Sequence, residues 1–272
     1  MKELNSSCFP PFEKRRKQTN KYDYGSILII GGSIGFQGAP LLSGLVALRN
    51  GSGLVTIAME QEALMYMTNP FPELMNKPYE TTNDILNILN KKYDAILFGP
   101  GLNPNKDINN EILALLLDSN KPLIIDASGL AILKGHLKRD DFHNVIITPH
   151  TGEACKLLDV PKESIDFTSL LNKEMTIVLK DATTLIMNKD EKYISDLGNP
   201  GMATAGTGDV LAGIISSFVG QKYSLLESAK RGVYIHSLAG QEARRDKSET
   251  SMIASDLINA LPTVYLHIEE NK

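Results

Sequence analysis

The chain has 272 residues, 42% of them hydrophobic and 22% charged, with a formal net charge of −4. This composition can bury a large core and excludes an intrinsically disordered chain; the mild acidity disfavours a general nucleic-acid binder and leaves small molecules as the expected partners. Two cysteines, Cys8 and Cys155, fit neither a disulfide framework nor a metal-ligand spacing, so a reducing cytoplasm fits best. Met1 to Phe12 form a polar, proline-interrupted start with no apolar signal core. No run approaches the roughly 20 apolar residues of a membrane span, so a soluble protein is expected.

The basic run Lys14–Lys17 reads as a solvated segment. Short β-rich runs then recur at Ser26–Ile30, Leu54–Met59, Ala95–Phe98, Leu123–Asp126, Val145–Thr148, Thr176–Lys180 and Thr184–Met187, with helical stretches between several of them. Several are apolar at consecutive positions, as parallel strands covered on both faces are. Thr184–Met187, a short polar turn and Lys192–Ile194 predict an antiparallel hairpin at one sheet edge. Helical patterning follows over Asp209–Val219, Leu225–Arg245 and Ala254–Ile268. No repeat or linker interrupts the chain, so residues 1–272 are expected to form one α/β domain with a mostly parallel sheet.

Ligands of open parallel sheets bind beyond the carboxyl ends of the strands, and four such loops carry unusual residues. Gly31–Pro40 is glycine-rich and enters a helix at Pro40, but its spacing is not the dinucleotide fingerprint, and the chain contains no P-loop. Phe98–Asn103 ends a strand in Gly99-Pro100-Gly101, where a flat ligand could lie on exposed backbone or a plain turn could suffice. Thr148–Glu153 leads into a helix. There His150 could donate to a substrate or simply be exposed, and Glu153 could serve the helix dipole or the site.

The fourth loop, Asn199–Gly213, gathers small residues at a helix start. Backbone N–H groups from Ala205, Gly206, Thr207 and Gly208 would form an anion hole there. Asp209 could merely cap that helix, but a cap requires no surrounding run of glycine, alanine and threonine. An aspartate beside a phosphate cradle can deprotonate an alcohol that attacks a phosphoryl group.

Gly31-Gly32-Ser33 with Gly38-Ala39, Gly99-Pro100-Gly101, Thr148-Pro149-His150 with Gly152-Glu153, and Gly198 to Gly213 together resemble the ADP/ATP-dependent NAD(P)H-hydrate dehydratases over nearly the whole chain. The resemblance implies a ribokinase-like three-layer sandwich with helices on both faces of the sheet. It implies repair of hydrated NADH or NADPH (NADHX, NADPHX) through phosphorylation of the ring hydroxyl by ADP or ATP and loss of phosphate, with Mg²⁺ assisting. Asp209 would be the base. Ala39, Gly101, Asn103 and His150 would contact the hydrated dinucleotide. Lys180, Asp181, Ala182, Thr183 and Thr184 would join the Ala205–Gly208 turn in holding the nucleotide, with Glu153 a candidate for the metal. The family's habit implies a homotetramer, and its partner epimerase would require a further domain.

Departures from the family pattern are Asn103 for a glycine, Thr151 for a proline, Ser128 for a second aspartate after Asp126, and no glycine after Lys180. Two other readings use the same residues: a kinase for a vitamin precursor or sugar, stopping at the phosphorylated product, and a nucleotide-sensing module without turnover.

Overall fold

A computed structural model describes residues 1–68, 70–139 and 142–270. Ten strands form one sheet: β1 (Lys2–Glu3), β2 (Ser26–Ile30), β3 (Leu54–Glu60), β4 (Met75–Tyr79), β5 (Ala95–Phe98), β6 (Leu123–Ile125), β7 (Val145–Ile147), β8 (Thr176–Leu179), β9 (Thr184–Met187) and β10 (Lys192–Ser195). Their spatial order is β1-β10-β9-β8-β7-β6-β5-β2-β3-β4. All neighbours are parallel except β8 with β9 and β9 with β10. The predicted hairpin is therefore present, but it is not the outermost element, because β1 pairs with β10 and covers that edge. At the opposite edge β4 contains Pro78, which an edge strand tolerates because it has one face of its backbone free of the ladder.

Alternation along each strand divides the core. Leu28, Ile30, Ile96, Phe98, Ile125, Ile147 and Ile177 face one layer, built from α3 (Thr82–Leu89), α4 (Asp107–Asp118), α5 (Ser128–Leu133) and α6 (Thr151–Leu158). Ile27, Ile29, Leu97, Ile124, Ile146 and Val178 face the other, built from α1 (Gly38–Arg49), α8 (Thr207–Gly220) and α9 (Leu225–Lys247). Side chains that point to opposite faces at successive positions, all of them apolar, require cover on both sides. The expected three-layer arrangement follows. α10 (Ala254–Glu270) adds a further helix, packed against α1, α8 and α9, and the described residues also include two short helices, α2 (Gln61–Met65) and α7 (Thr168–Leu171).

Strand order reverses at β2. The chain runs outward from β2 through β3 and β4 on one side, then starts again at β5 and proceeds to β8 on the other. The crevice beyond the carboxyl ends of β2 and β5 is thus the switch point at which an open sheet receives ligand. There Gly32 donates its N–H to the Pro100 carbonyl at 2.8 Å, and Ser33 Oγ donates to the Gly101 carbonyl at 2.8 Å. The glycine loop after β2 and the Gly-Pro-Gly loop after β5 form one joined surface.

Candidate active site

Four central strands pass their register on to the residues beyond them. Gly99 N–H donates to Ile30 O, Asp126 N–H to Phe98 O, Thr148 N–H to Ile125 O and Lys180 N–H to Pro149 O, at 2.8 to 3.1 Å. Asp126, Thr148 and Lys180, which the sequence reads as strand ends, lie one residue outside their strands but remain in the ladder. Their side chains meet: Lys180 Nζ and Thr148 Oγ each donate to Asp126 Oδ1 at 2.6 Å. Asp126 is almost wholly buried, with 2% of its side chain exposed, and Lys180 shows 18%.

Helix α8 brings the remaining carboxylate. It begins at Thr207, two residues before the predicted start, with Gly206 at its N-cap in the left-handed region (φ 91°). Glycine is required there, since a Cβ would lie 2.6 Å from Leu42 Cδ1 and 2.9 Å from Ala254 Cβ. Asp209 is consequently in the helix's first turn and not at its cap, and the N-cap glycine supplies no side-chain cap. The Thr207 N–H returns to Thr204 O at 3.4 Å, while the amides of Gly208 and Asp209 have no acceptor within the helix. They face the direction in which the helix dipole favours an anion. A Cβ on Gly208 would stand 3.3 Å from Lys180 Nζ, so the ammonium group borders the amide cradle.

Burial and the neighbouring Asp126 push Asp209 up to about 7, against the opposing pull of Lys180 and with a smaller push from Glu153. Burial acts to lower the Lys180 ammonium, but Asp126, Glu153 and Asp209 outweigh it and hold the group above the ordinary lysine value. A carboxyl that ionises near neutrality in a cleft is suited to general base work.

Asp209, Gly208 and Lys180 therefore converge. Ala39 joins Gly101, whose φ is 70° and whose Cβ, if present, would sit 3.3 Å from Ala39 Cβ and 2.3 Å from Phe36 O. His150 is neither a merely exposed loop residue nor a free one: it is the N-cap of α6. Its Nδ1 accepts from Gly152 N–H at 2.9 Å and Glu153 N–H at 3.3 Å, leaving Nε2 to carry the proton. Glu153 Oε2 accepts in return from His150 N–H at 2.8 Å, which completes a capping box. Among the described residues no group of three metal-ligating side chains is assembled. Asp181 is fixed by Thr151 Oγ, which donates to its Oδ2 at 2.6 Å, while its Oδ1 accepts from Ala182 N–H at 2.8 Å. Thr183 follows in the same loop, and Thr184 enters β9 opposite Ser195. Asn103 turns inward on its own loop, its carbonyl accepting from Asn109 Nδ2 at 2.8 Å and its Oδ1 from Asn105 N–H at 3.0 Å. The basic run is exposed, as expected; within it Arg15 lies over the Tyr24 ring at 4.0 Å.

His236 is a residue the sequence did not expose. It lies on α9 with a ring nitrogen, Nε2, 3.0 Å from Thr207 O, to which it donates as the neutral imidazole. Burial pushes it down to about 4, with Thr207 opposing and Lys180 adding to the effect. Its position in a regular helical pattern gave no local signal, because the contact joins residues far apart in the chain.

The family model described as NAD(P)H-hydrate dehydratase matches residues 27–263. The chain belongs to the NAD(P)H-hydrate dehydratase family. It is 35% identical to the ADP-dependent (S)-NAD(P)H-hydrate dehydratase of Staphylococcus aureus, over 99% of this chain and 98% of that one. A ribokinase-like superfamily protein from Enterococcus faecalis superposes with a TM-score of 0.82 at 29% identity, covering 94% of this chain and 91% of the other. The ADP/ATP-dependent NAD(P)H-hydrate dehydratase of Bacillus subtilis, co-crystallised with ATP/Mg²⁺, does so with a TM-score of 0.79 at 27% identity, covering 95% of each chain. The chain spans about half the length of the bifunctional NAD(P)H-hydrate repair enzymes that it also matches. Its fold is ribokinase-like, and the family's named activity is that of a hydro-lyase.

Proposed function

We propose that this protein dehydrates the S epimer of hydrated NADH or NADPH, with ADP or ATP as the phosphoryl donor. The observation that carries the proposal is the place of Asp209 in the first turn of α8, where its own amide and that of Gly208 form a cradle bordered by Lys180 and burial raises its carboxyl to ionise near neutrality. Asp209 takes the proton of the ring hydroxyl; the oxygen attacks the terminal phosphorus, and the bond from that phosphorus to the remaining nucleotide breaks. The C–O bond of the phosphorylated ring then breaks and phosphate leaves, while the neighbouring ring carbon gives up a proton to water and that C–H electron pair restores the double bond. The Gly208 and Asp209 amides and the Lys180 ammonium stabilise charge on the transferring oxygens. Ala39, Gly101, Asn103 and His150 line the approach of the dinucleotide, His150 through its Nε2–H, whose nitrogen lies 3.7 Å from Glu153 Oε2. Lys180 to Thr184 and the turn from Ala205 to Gly208 hold the nucleotide.

Mg²⁺ suits this arrangement as an ion carried by the nucleotide, because it keeps several waters and binds through one or two carboxylates plus phosphates. Glu153, whose carboxylate acts on Asp209, would flank it, and the bound ion would neutralise phosphate charge. A homotetramer and a cytoplasmic location, the latter supported by the free thiols of Cys8 and Cys155, belong to the same proposal.

The test is to mix the protein with NADHX, Mg²⁺ and ADP, then ATP, and to follow the absorbance of the reduced nicotinamide. A donor-dependent rise that Asp209→Asn abolishes is expected. No rise with either donor would overturn the proposal. A phosphorylated product that accumulates without the rise would move the chain to the kinases.

A further inference from the structure

The Asp126 turn is built at an energetic cost that an ordinary ion pair does not require. Ala127 stands in the positive-φ region at φ 50°, ψ −127°, a conformation that strains a non-glycine residue. Gly99 must be glycine beside it: a Cβ there would lie 1.9 Å from Asp126 O and 2.9 Å from Gly129 Cα. The carboxylate so placed receives both donors on one oxygen, Lys180 Nζ and Thr148 Oγ, each at 2.6 Å. Buried ion pairs are weak stabilisers of a fold, since desolvation offsets their attraction. What the pair does achieve here is geometric. The Lys180 side chain leaves a strand end, crosses to Asp126 and brings its ammonium to 3.3 Å from the Cβ position of Gly208.

We propose that Asp126 is a positioning residue for phosphoryl transfer: it holds the Lys180 ammonium at the edge of the Gly208–Asp209 amide cradle, and Thr148 fixes the Asp126 carboxylate that does so. Asp126 itself touches no substrate. A long, flexible lysine has many rotamers, and holding one of them before the phosphate arrives removes that ordering from the reaction step. Glu153 and Asp209 also act on the Lys180 ammonium, while Asp126 is the carboxylate that accepts its hydrogen bond. The placement of the ammonium therefore decides which of them it screens. The inference rests on the proposed function for its kinetic form, and on nucleotide binding alone for its second form.

The experiment is a double-mutant cycle of Asp126→Asn with Lys180→Met, each variant checked for folding by thermal melting. Asp126→Asn should lower kcat by about 10²-fold while the KM for hydrated cofactor moves less than about threefold. In the Lys180→Met background the same change should have almost no further effect, because the residue acts through the ammonium. Effects of the two substitutions that multiply would overturn the proposal. Should Asp126→Asn fail to fold, Thr148→Val supplies a milder arm, with roughly a tenfold loss that also vanishes in Lys180→Met. ADP affinity by calorimetry repeats the cycle without turnover: a loss of about tenfold confined to the Lys180 background supports positioning, and an equal loss in Lys180→Met refutes it. Absence of dehydration by the wild-type protein would sink the proposed function and leave the binding cycle to decide this one.

Discussion

Gly208 and Lys180 approach so closely that a single added carbon on the glycine would stand 3.3 Å from the ammonium nitrogen. Gly208 is inside the first turn of α8, where alanine has the better helix propensity by about 1 kcal/mol. Gly208→Ala is thus expected to be at least as stable as wild type and yet to bind ADP about tenfold more weakly, because the methyl group displaces the ammonium and narrows the cradle. Chemical denaturation and calorimetry on one preparation check both halves. A variant that loses stability and keeps its affinity would place Gly208 in packing alone.

Asp209 gives a prediction with a sign. Its folded pKa, about 7, lies above the ordinary 3.8, so between those values the folded chain keeps a proton that the unfolded chain releases. Stability contributed by this group falls as pH rises from about 4 to 7, and the full cost is present above 7. His236 acts oppositely: its folded pKa, about 4, lies below 6.5, so stability rises with pH across that window. Asp209→Asn removes the first effect. It should be more stable than wild type above pH 7 by about 1–3 kcal/mol, a figure reduced for partial solvent access, with the difference vanishing near pH 4. Its own stability should then increase between pH 4 and 6.5. In activity it should lose about 10²- to 10⁴-fold, and wild-type kcat/KM should rise with pH through about 7. Denaturation curves across pH, beside the rate profile, separate a base from a structural carboxylate.

His150 separates capping from donation. His150→Asn retains a side-chain acceptor for the Gly152 and Glu153 amides but lacks the Nε2–H. It should fold with near wild-type stability and raise the KM for hydrated cofactor about tenfold, the value of one polar contact. His150→Ala loses the cap as well and should cost a further 1 kcal/mol or so of stability. Equal KM values for wild type and His150→Asn would remove this residue from the substrate site.

The strands were legible because their residues are apolar at consecutive positions: Ser26–Ile30, Ala95–Phe98 and Thr184–Met187 carry the predicted bounds. β1 and β4 were not, the first being two residues long and the second containing proline and polar side chains. At the site, the small-residue run before Asp209 marked the cradle, since only glycine permits the turn at Gly206. The sequence had little to say about Asp126 with Thr148, or His236 with Thr207. These partners lie 22 and 29 residues apart and meet only through the register of the sheet and the packing of α9 on α8. Asp209 itself looked like a possible cap until the helix start at Thr207 placed it within the first turn.

Arg231 tests whether the far end of α9 is structural only. Its side chain is 1% exposed and paired with Glu227. It donates Nη2 to Pro10 O at 2.7 Å and Nε to Glu227 Oε1 at 2.8 Å. The guanidinium also lies over the rings of Tyr223 at 4.4 Å, Phe12 at 4.7 Å and Phe9 at 4.9 Å. Lysine cannot reproduce the fork and the stacking together, so Arg231→Lys should unlatch the N-terminal segment and cost about 2–4 kcal/mol. None of these contacts reaches Asp209, and kcat of the folded fraction should remain at the wild-type value. Loss of kcat with unchanged stability would instead show that the N-terminal segment communicates with the site.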